Sequence, residues 1–225
     1  MPMRRHIPEL AIEWALHERE RRWRVVDGSL CFADISGFTA LAERLALRGR
    51  VGGEELVETL GRVFVAMLDI AHDSGGMLLK FGGDALLLFF DGDDHAIRAA
   101  GTAVEMRRAL RQAAEIPTSV GPLKLSMSVG VHSGEVHFFL VGGAHRELVL
   151  LGPAVNSVVA TENAANAGEI LVSAATAAAL PVTATRARAD GERLLRWRRA
   201  PPMPKQRRPQ PVADAGLIAS LFPRQ

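Results

Sequence analysis

The chain has 225 residues, 48% hydrophobic and 23% charged, with a formal net charge of +2 and one cysteine. That length supports one full core. A single cysteine excludes an internal disulfide, and the longest apolar runs, such as Ala85 to Phe90, are far too short to cross a bilayer. Cys31, inside the run Leu30-Cys31-Phe32-Ala33, reads as a buried thiol, so the expectation is a soluble protein of the cytoplasm with no membrane contact. The charge is uneven: residues 186–225 hold ten Lys/Arg against three Asp/Glu. Several prolines and little aromatic interleaving make this stretch a solvated linker rather than a nucleic-acid surface.

In chain order, residues 1–27 form an appendage with a short helix around Leu10 to Leu16, followed by the charged run His17 to Arg24. Gly28 to Asp34 is an apolar strand. Ser36, Gly37 and Thr39 then turn the chain into a helix with Phe38, Leu41, Ala42 and Leu45 at helical spacing. After the glycines Gly49, Gly52 and Gly53, the stripe Leu56, Leu60, Val63, Met67 and Ile70 marks the buried face of a second helix. Met77 to Phe81 and Ala85 to Phe90 flank Gly82-Gly83 as a hairpin with Asp84 at its turn. A third helix is capped by Asp91 to Asp94 and runs to about Gln112. Alternation at Leu123, Leu125, Met127, Val129 and Val131 gives a half-buried strand, and Gly134 opens another from Glu135 to Val141.

Leu148 to Leu151, a helix from Ala154 to Asn166, a strand from Glu169 to Ser173 and a helical Ala174 to Leu180 complete the domain. The mixture predicts an α+β fold, a mostly antiparallel sheet with helices packed on one main face. The domain is expected over residues 28–183, with residues 184–225 a basic, proline-rich extension and a small helix at Ala213 to Phe222. Val129, Val131, Val136 and Phe138 are expected to form part of an apolar face that pairs with another domain.

Asp34 and Asp84 each stand at the end of an apolar strand beside glycines. A carboxylate there is costly to desolvate unless it is paired or bound to a cation, and two of them suit a pair of metals about 3.5 to 4 Å apart. The helix after Gly37 adds free N–H groups where phosphates can rest. Against this, single aspartates at turns are commonly turn formers. Seven histidines show no zinc spacing.

The runs Phe32-Ala33-Asp34-Ile35-Ser36-Gly37-Phe38-Thr39, Lys80-Phe81-Gly82-Gly83-Asp84-Ala85, Val129-Gly130-Val131-His132-Ser133-Gly134 and Gly152-Pro153-Ala154-Val155-Asn156 occur in the order and spacing of class III nucleotide cyclases. The resemblance covers roughly residues 28 to 180. It implies a ferredoxin-like cyclase domain that pairs head to tail, with sites at the interface between two domains. It further implies that Asp34 and Asp84 hold two Mg²⁺ or Mn²⁺ ions with help from the Ile35 carbonyl, and that the Phe38 and Thr39 amides cradle phosphates. Lys80 would read the base and Asn156 would orient the ribose.

Two positions depart from the family pattern. Val149 stands where a second base-reading residue is expected, and Ala160 where an arginine neutralises phosphate charge in the transition state. The pattern is similar to the first catalytic domain of soluble, bicarbonate-responsive adenylyl cyclases, in which a second domain supplies the missing groups. There the lysine lines a pocket for bicarbonate, and the arginine that helps it falls at Val159 here. The resemblance implies ATP conversion to cyclic AMP and pyrophosphate, completed by a homodimeric or heterologous partner domain. The competing readings are an inactive cyclase-like domain that regulates an active one, and a diguanylate cyclase suggested by Gly82-Gly83-Asp84, whose signature expects an acid where Ala85 stands. The end at Phe222 to Gln225 suggests a chain that continues into a second catalytic domain.

Overall fold

The computed structural model describes residues 9–17, 21–113, 117–122, 125–142 and 147–207. The elements follow in the order α1 (Glu9–His17), β1 (Trp23–Ser36), α2 (Phe38–Ala46), α3 (Gly49–Asp73), β2 (Met77–Gly82), β3 (Ala85–Asp91) and α4 (His95–Ala113). A minor hairpin, β4 (Pro117–Thr118) and β5 (Gly121–Pro122), precedes β6 (Ser126–Val141), β7 (Glu147–Leu151), α5 (Pro153–Asn163), β8 (Ile170–Val172), α6 (Ala174–Ala178), β9 (Thr185–Ala187) and β10 (Arg193–Leu195). Eight strands form one sheet in the order β2-β3-β1-β6-β8-β10-β9, with β7 on the far end of β6. β6 and β8 run parallel and the other neighbours antiparallel, so the fold is α+β as expected.

Side-chain alternation sorts the sheet into two apolar faces. Cys31, Ala33, Ile35, Leu88, Val129 and Val131 pack under α2, α3 and α4. Leu30, Phe89, Val136 and Phe138 pack with Trp14 of α1 and with Ala154 and Val158 of α5. Helices therefore cover both faces, not one. The same alternation corrects the expected interface. Val129 and Val131 have odd numbers and Val136 and Phe138 even ones, so they lie on opposite faces, and all four are fully buried within this chain.

Glycines account for three further departures from the expected element bounds. Gly28 and Gly134 face each other in the β1–β6 ladder, so β6 runs through Gly134 as one strand, and β1 starts at Trp23 rather than Gly28. A side chain at Gly28 would meet the Phe90 carbonyl and the Phe89 ring at about 2.5 Å. Gly49, Gly52 and Gly53 lie inside α3 rather than before it. A Cβ at Gly52 would stand 1.9 Å from the Leu45 carbonyl, so this glycine lets α3 start against the end of α2.

The sheet also continues past residue 183 through β9 and β10. Beyond them the basic segment lies along α3 and α4. Arg107 donates to the Trp197 carbonyl, the Ala200 amide donates to Glu105, and Lys205 pairs with Asp73 at 2.6 Å. Strands of three residues and ion pairs to distant helices leave no periodicity for a sequence to display. Leu123 and the expected helix at Ala213 to Phe222 lie outside the described residues.

Candidate active site

β1 and the β2–β3 hairpin end side by side. Asp34 stands opposite Ala85 on one side and Ser128 on the other. Gly82 pairs with Ala85, which leaves Gly83 and Asp84 as a two-residue turn, with Gly83 at φ 73° where a side chain is disfavoured. The Ile35 amide donates to the Asp84 carbonyl at 3.3 Å and ties the turn to the strand end. Both aspartates are half-buried. Burial, and secondarily the charge of Asp84, raise the Asp34 carboxyl above its ordinary value. The structure thus brings together the two acids singled out from the sequence.

α2 begins directly after Asp34 and Ile35, from Gly37 at φ 102°. The Leu41 amide takes the Gly37 carbonyl, and the first-turn amides that precede it, including those of Phe38 and Thr39, point out of the helix end. The Phe38 ring packs on Phe64 at 5.8 Å, and Phe64 meets Phe81 of β2 at 5.6 Å, so the helix start is held against the hairpin. Thr39 is exposed.

The other sequence-selected residues lie elsewhere. Lys80 is exposed on β2, across from Leu87. Val149 is half-buried on β7 opposite Phe139, with β3, β1 and β6 between it and Lys80. Asn156 is exposed on α5, and Ala160, one turn later, shares its exposed side. Cys31 is fully buried and its thiol is pushed up to about 12, which makes it inert.

Glu162 was not singled out from the sequence. It is 8% exposed and accepts a hydrogen bond from Ser128 Oγ at 2.6 Å. Burial raises its carboxyl, the Ser128 bond lowers it, and the charge of Asp34 raises it again. The signal was present: Ala154, Val158, Thr161 and Glu162 step along one buried helical face, where a carboxylate is out of place.

The raised Asp34 value carries a sign for stability. The unfolded chain ionises this group at lower pH than the folded one does, so above the ordinary value of 3.8 folding retains a disfavoured charge. Metal-free Asp34→Asn is expected to melt at higher temperature than the parent at neutral pH. The gain should vanish as the pH falls through the carboxylate range, and calorimetric melts across pH check it.

Residues 24–200 match the family described as the adenylate and guanylate cyclase catalytic domain. The chain belongs to that family. It is 30% identical over 176 residues to rat adenylate cyclase type 10, covering 75% of this chain and 11% of the relative. It is 29% identical over 150 residues to the membrane guanylyl cyclase of Dictyostelium discoideum, covering 64% of this chain and 9% of that one. The chain therefore spans about a tenth of the length of these relatives. Among solved structures, the adenylyl cyclase CyaB from P. aeruginosa superimposes with a TM-score of 0.66 at 24% identity, over 81% of this chain and 100% of that one. That likeness is one of fold. No helix among the described residues is long and apolar enough to cross a membrane.

Proposed function

We propose that this cyclase domain is the metal-binding half of an adenylate cyclase that converts ATP to cyclic AMP and pyrophosphate. The observation that carries the reading is the pair Asp34 and Asp84, held at one sheet end beside the start of α2. Among the described residues no three or more His, Cys, Asp or Glu side chains converge on a metal-sized site. Two carboxylates and a backbone carbonyl suit Mg²⁺ or Mn²⁺, which keep their other positions for water and phosphate oxygens. In this reading Asp34, Asp84 and the Ile35 carbonyl hold two such ions, and the Phe38 and Thr39 amides take phosphate oxygens. When bound, the ions make the ribose 3′-hydroxyl more acidic and offset charge on the leaving pyrophosphate. Likeness to adenylate cyclase type 10 favours ATP over GTP.

The second half of the site is incomplete in this chain. Val149 has no donor or acceptor for a base, and Ala160 no charge for the phosphates, so Asn156 remains alone on α5. A partner domain would supply the rest. Val149 and Ala160 equally support a second reading, a cyclase-like domain that regulates an active partner without itself turning over. Bicarbonate as a regulator is left with Lys80 as its cation, since Val159, 37% exposed, offers none. Cyclic AMP and cyclic GMP formation with Mg²⁺ or Mn²⁺, measured for the chain alone and mixed with a complementary cyclase domain, separates these readings. Turnover only in the mixture supports the first. No turnover above that of the active partner by itself supports the second.

An exposed apolar face on β1, β6 and β7 supports pairing. Trp23, Phe139 and Val149 form one row across these strands, and Val25, His137 and Leu151 the next. Trp23, Val25, Val141 and Leu151 are 37–55% exposed, an apolar face of the kind that marks an interaction site. We assign this face, in place of the buried valines, to contact with a second cyclase-type domain. Trp23→Glu with Leu151→Glu is expected to weaken association about a hundredfold, since apolar burial contributes about 25 cal/mol per Å² and charges there must be desolvated. Sedimentation of the mixed domains checks it, and unchanged association removes the assignment.

A further inference from the structure

Among the described residues no cation acts on the Glu162 carboxyl, yet α5 presses it onto the sheet. A Cβ at Gly130 would stand 2.5 Å from the Glu162 amide nitrogen and 2.6 Å from the Val158 carbonyl, so the helix rests directly on β6. Its carboxylate accepts the Ser128 hydroxyl at 2.6 Å. Ser128 is also the β6 residue opposite Asp34, on the same face of the sheet. Directly opposed residues of an antiparallel pair have Cβ atoms about 4.5–5.5 Å apart, so the hydroxyl can turn to either acid. A serine has one proton to donate, and here Glu162 takes it.

We propose that Glu162 is a positioning residue that holds the Ser128 hydroxyl away from Asp34, so that the Asp34 carboxylate keeps its lone pairs for cations. The inference rests on the metal-binding reading of Asp34. It gives the buried carboxylate a task that packing does not explain, because an apolar side chain would fill the same space under α5 at lower desolvation cost. It also latches α5, which carries Asn156 on its exposed side, to the strand position beside Asp34. The two half-sites of one chain are therefore fixed relative to each other.

The test is Mn²⁺ binding by the full chain with a non-hydrolysable ATP analogue, read by electron paramagnetic resonance of free Mn²⁺ and by calorimetry, with a thermal melt of each variant. Glu162→Met keeps the volume and removes the acceptor. It should weaken Mn²⁺ binding about tenfold, the scale of a hydrogen bond to a charged group, without lowering the melting temperature. Ser128→Ala should bind within about twofold of the parent, because Asp34 stays free of a donor. The double variant Glu162→Met/Ser128→Ala should recover most of the loss, which no purely structural role for Glu162 produces. Glu162→Gln, whose amide oxygen still accepts, should bind more tightly than Glu162→Met. A double variant no better than Glu162→Met, or Ser128→Ala as weak as Glu162→Met, overturns the proposal. Asp34→Ala binding Mn²⁺ like the parent would instead remove the metal-binding reading on which it stands.

Discussion

Alanine at Asp34 or Asp84 is expected to lower turnover of the assembled enzyme by about a thousandfold, the scale seen when a group that stabilises developing charge is lost. Each variant should also lose metal-dependent binding of a nucleotide triphosphate while the protein stays folded. Neither acid supports the core: Asp34 is half-buried near the end of β1, and Asp84 occupies a hairpin turn. Burial and then the Asp84 charge raise Asp34, so removing Asp34 ends both penalties and removing Asp84 ends the second, and the metal-free melt should rise or stay level. Asp84→Asn is the discriminating variant. Asparagine serves a tight turn as well as aspartate does, so a turn-forming role predicts unchanged binding and a metal role predicts its loss. Calorimetric titration with Mn²⁺ and a non-hydrolysable analogue decides, and unchanged affinity in all three variants ends the metal assignment.

Sequence legibility followed from how local the physics was. Asp34 and Asp84 were readable because each closes an apolar run beside glycines, and a strand end and a tight turn are local events. The helical stripe from Leu56 to Ile70 was readable for the same reason: Val63 and Met67 are buried in the core, and Leu56, Leu60 and Ile70 pack against it. Illegible features depended on contacts between distant segments. Gly134 looks like a strand end until Gly28 is seen opposite it, and Gly52 looks like a breaker until the Leu45 carbonyl is found against it. The segment after residue 196 looks like a solvated linker, because its partners Asp73 and Glu105 lie about a hundred positions away. The misplaced interface differs in kind. Residue parity along β6 puts Val129 and Val136 on opposite faces, because the period of a strand, and not apolar character alone, decides which residues share a face. Glu162 was legible too, as the single acid on the buried side of α5.

Ala160→Arg is expected to raise cyclase activity of the chain assayed without a partner by about a hundredfold, from a level close to background, provided the chain associates with itself. Ala160 is exposed and one helical turn from the exposed Asn156, so an arginine there projects from the same side of α5. In the proposed head-to-tail pair that side would meet the Asp34 and Asp84 end of the other copy, where charge would develop on the phosphates. The arginine is long enough to reach across an interface and cannot lose its proton, which alanine cannot imitate. Adding Val149→Asp, to give the base a hydrogen-bond partner, should act mainly on substrate discrimination between ATP and GTP, because it touches the base and not the reacting phosphate. Activity is measured as cyclic AMP and cyclic GMP formed with Mn²⁺ over a range of protein concentrations, since a site shared between two copies gives a specific activity that rises with concentration. Two results oppose the reading. Strong turnover by the parent chain alone would mean that another cation already serves the phosphates. Ala160→Arg without gain, at concentrations where sedimentation shows a dimer, would mean that α5 does not face the metal-binding half of its partner.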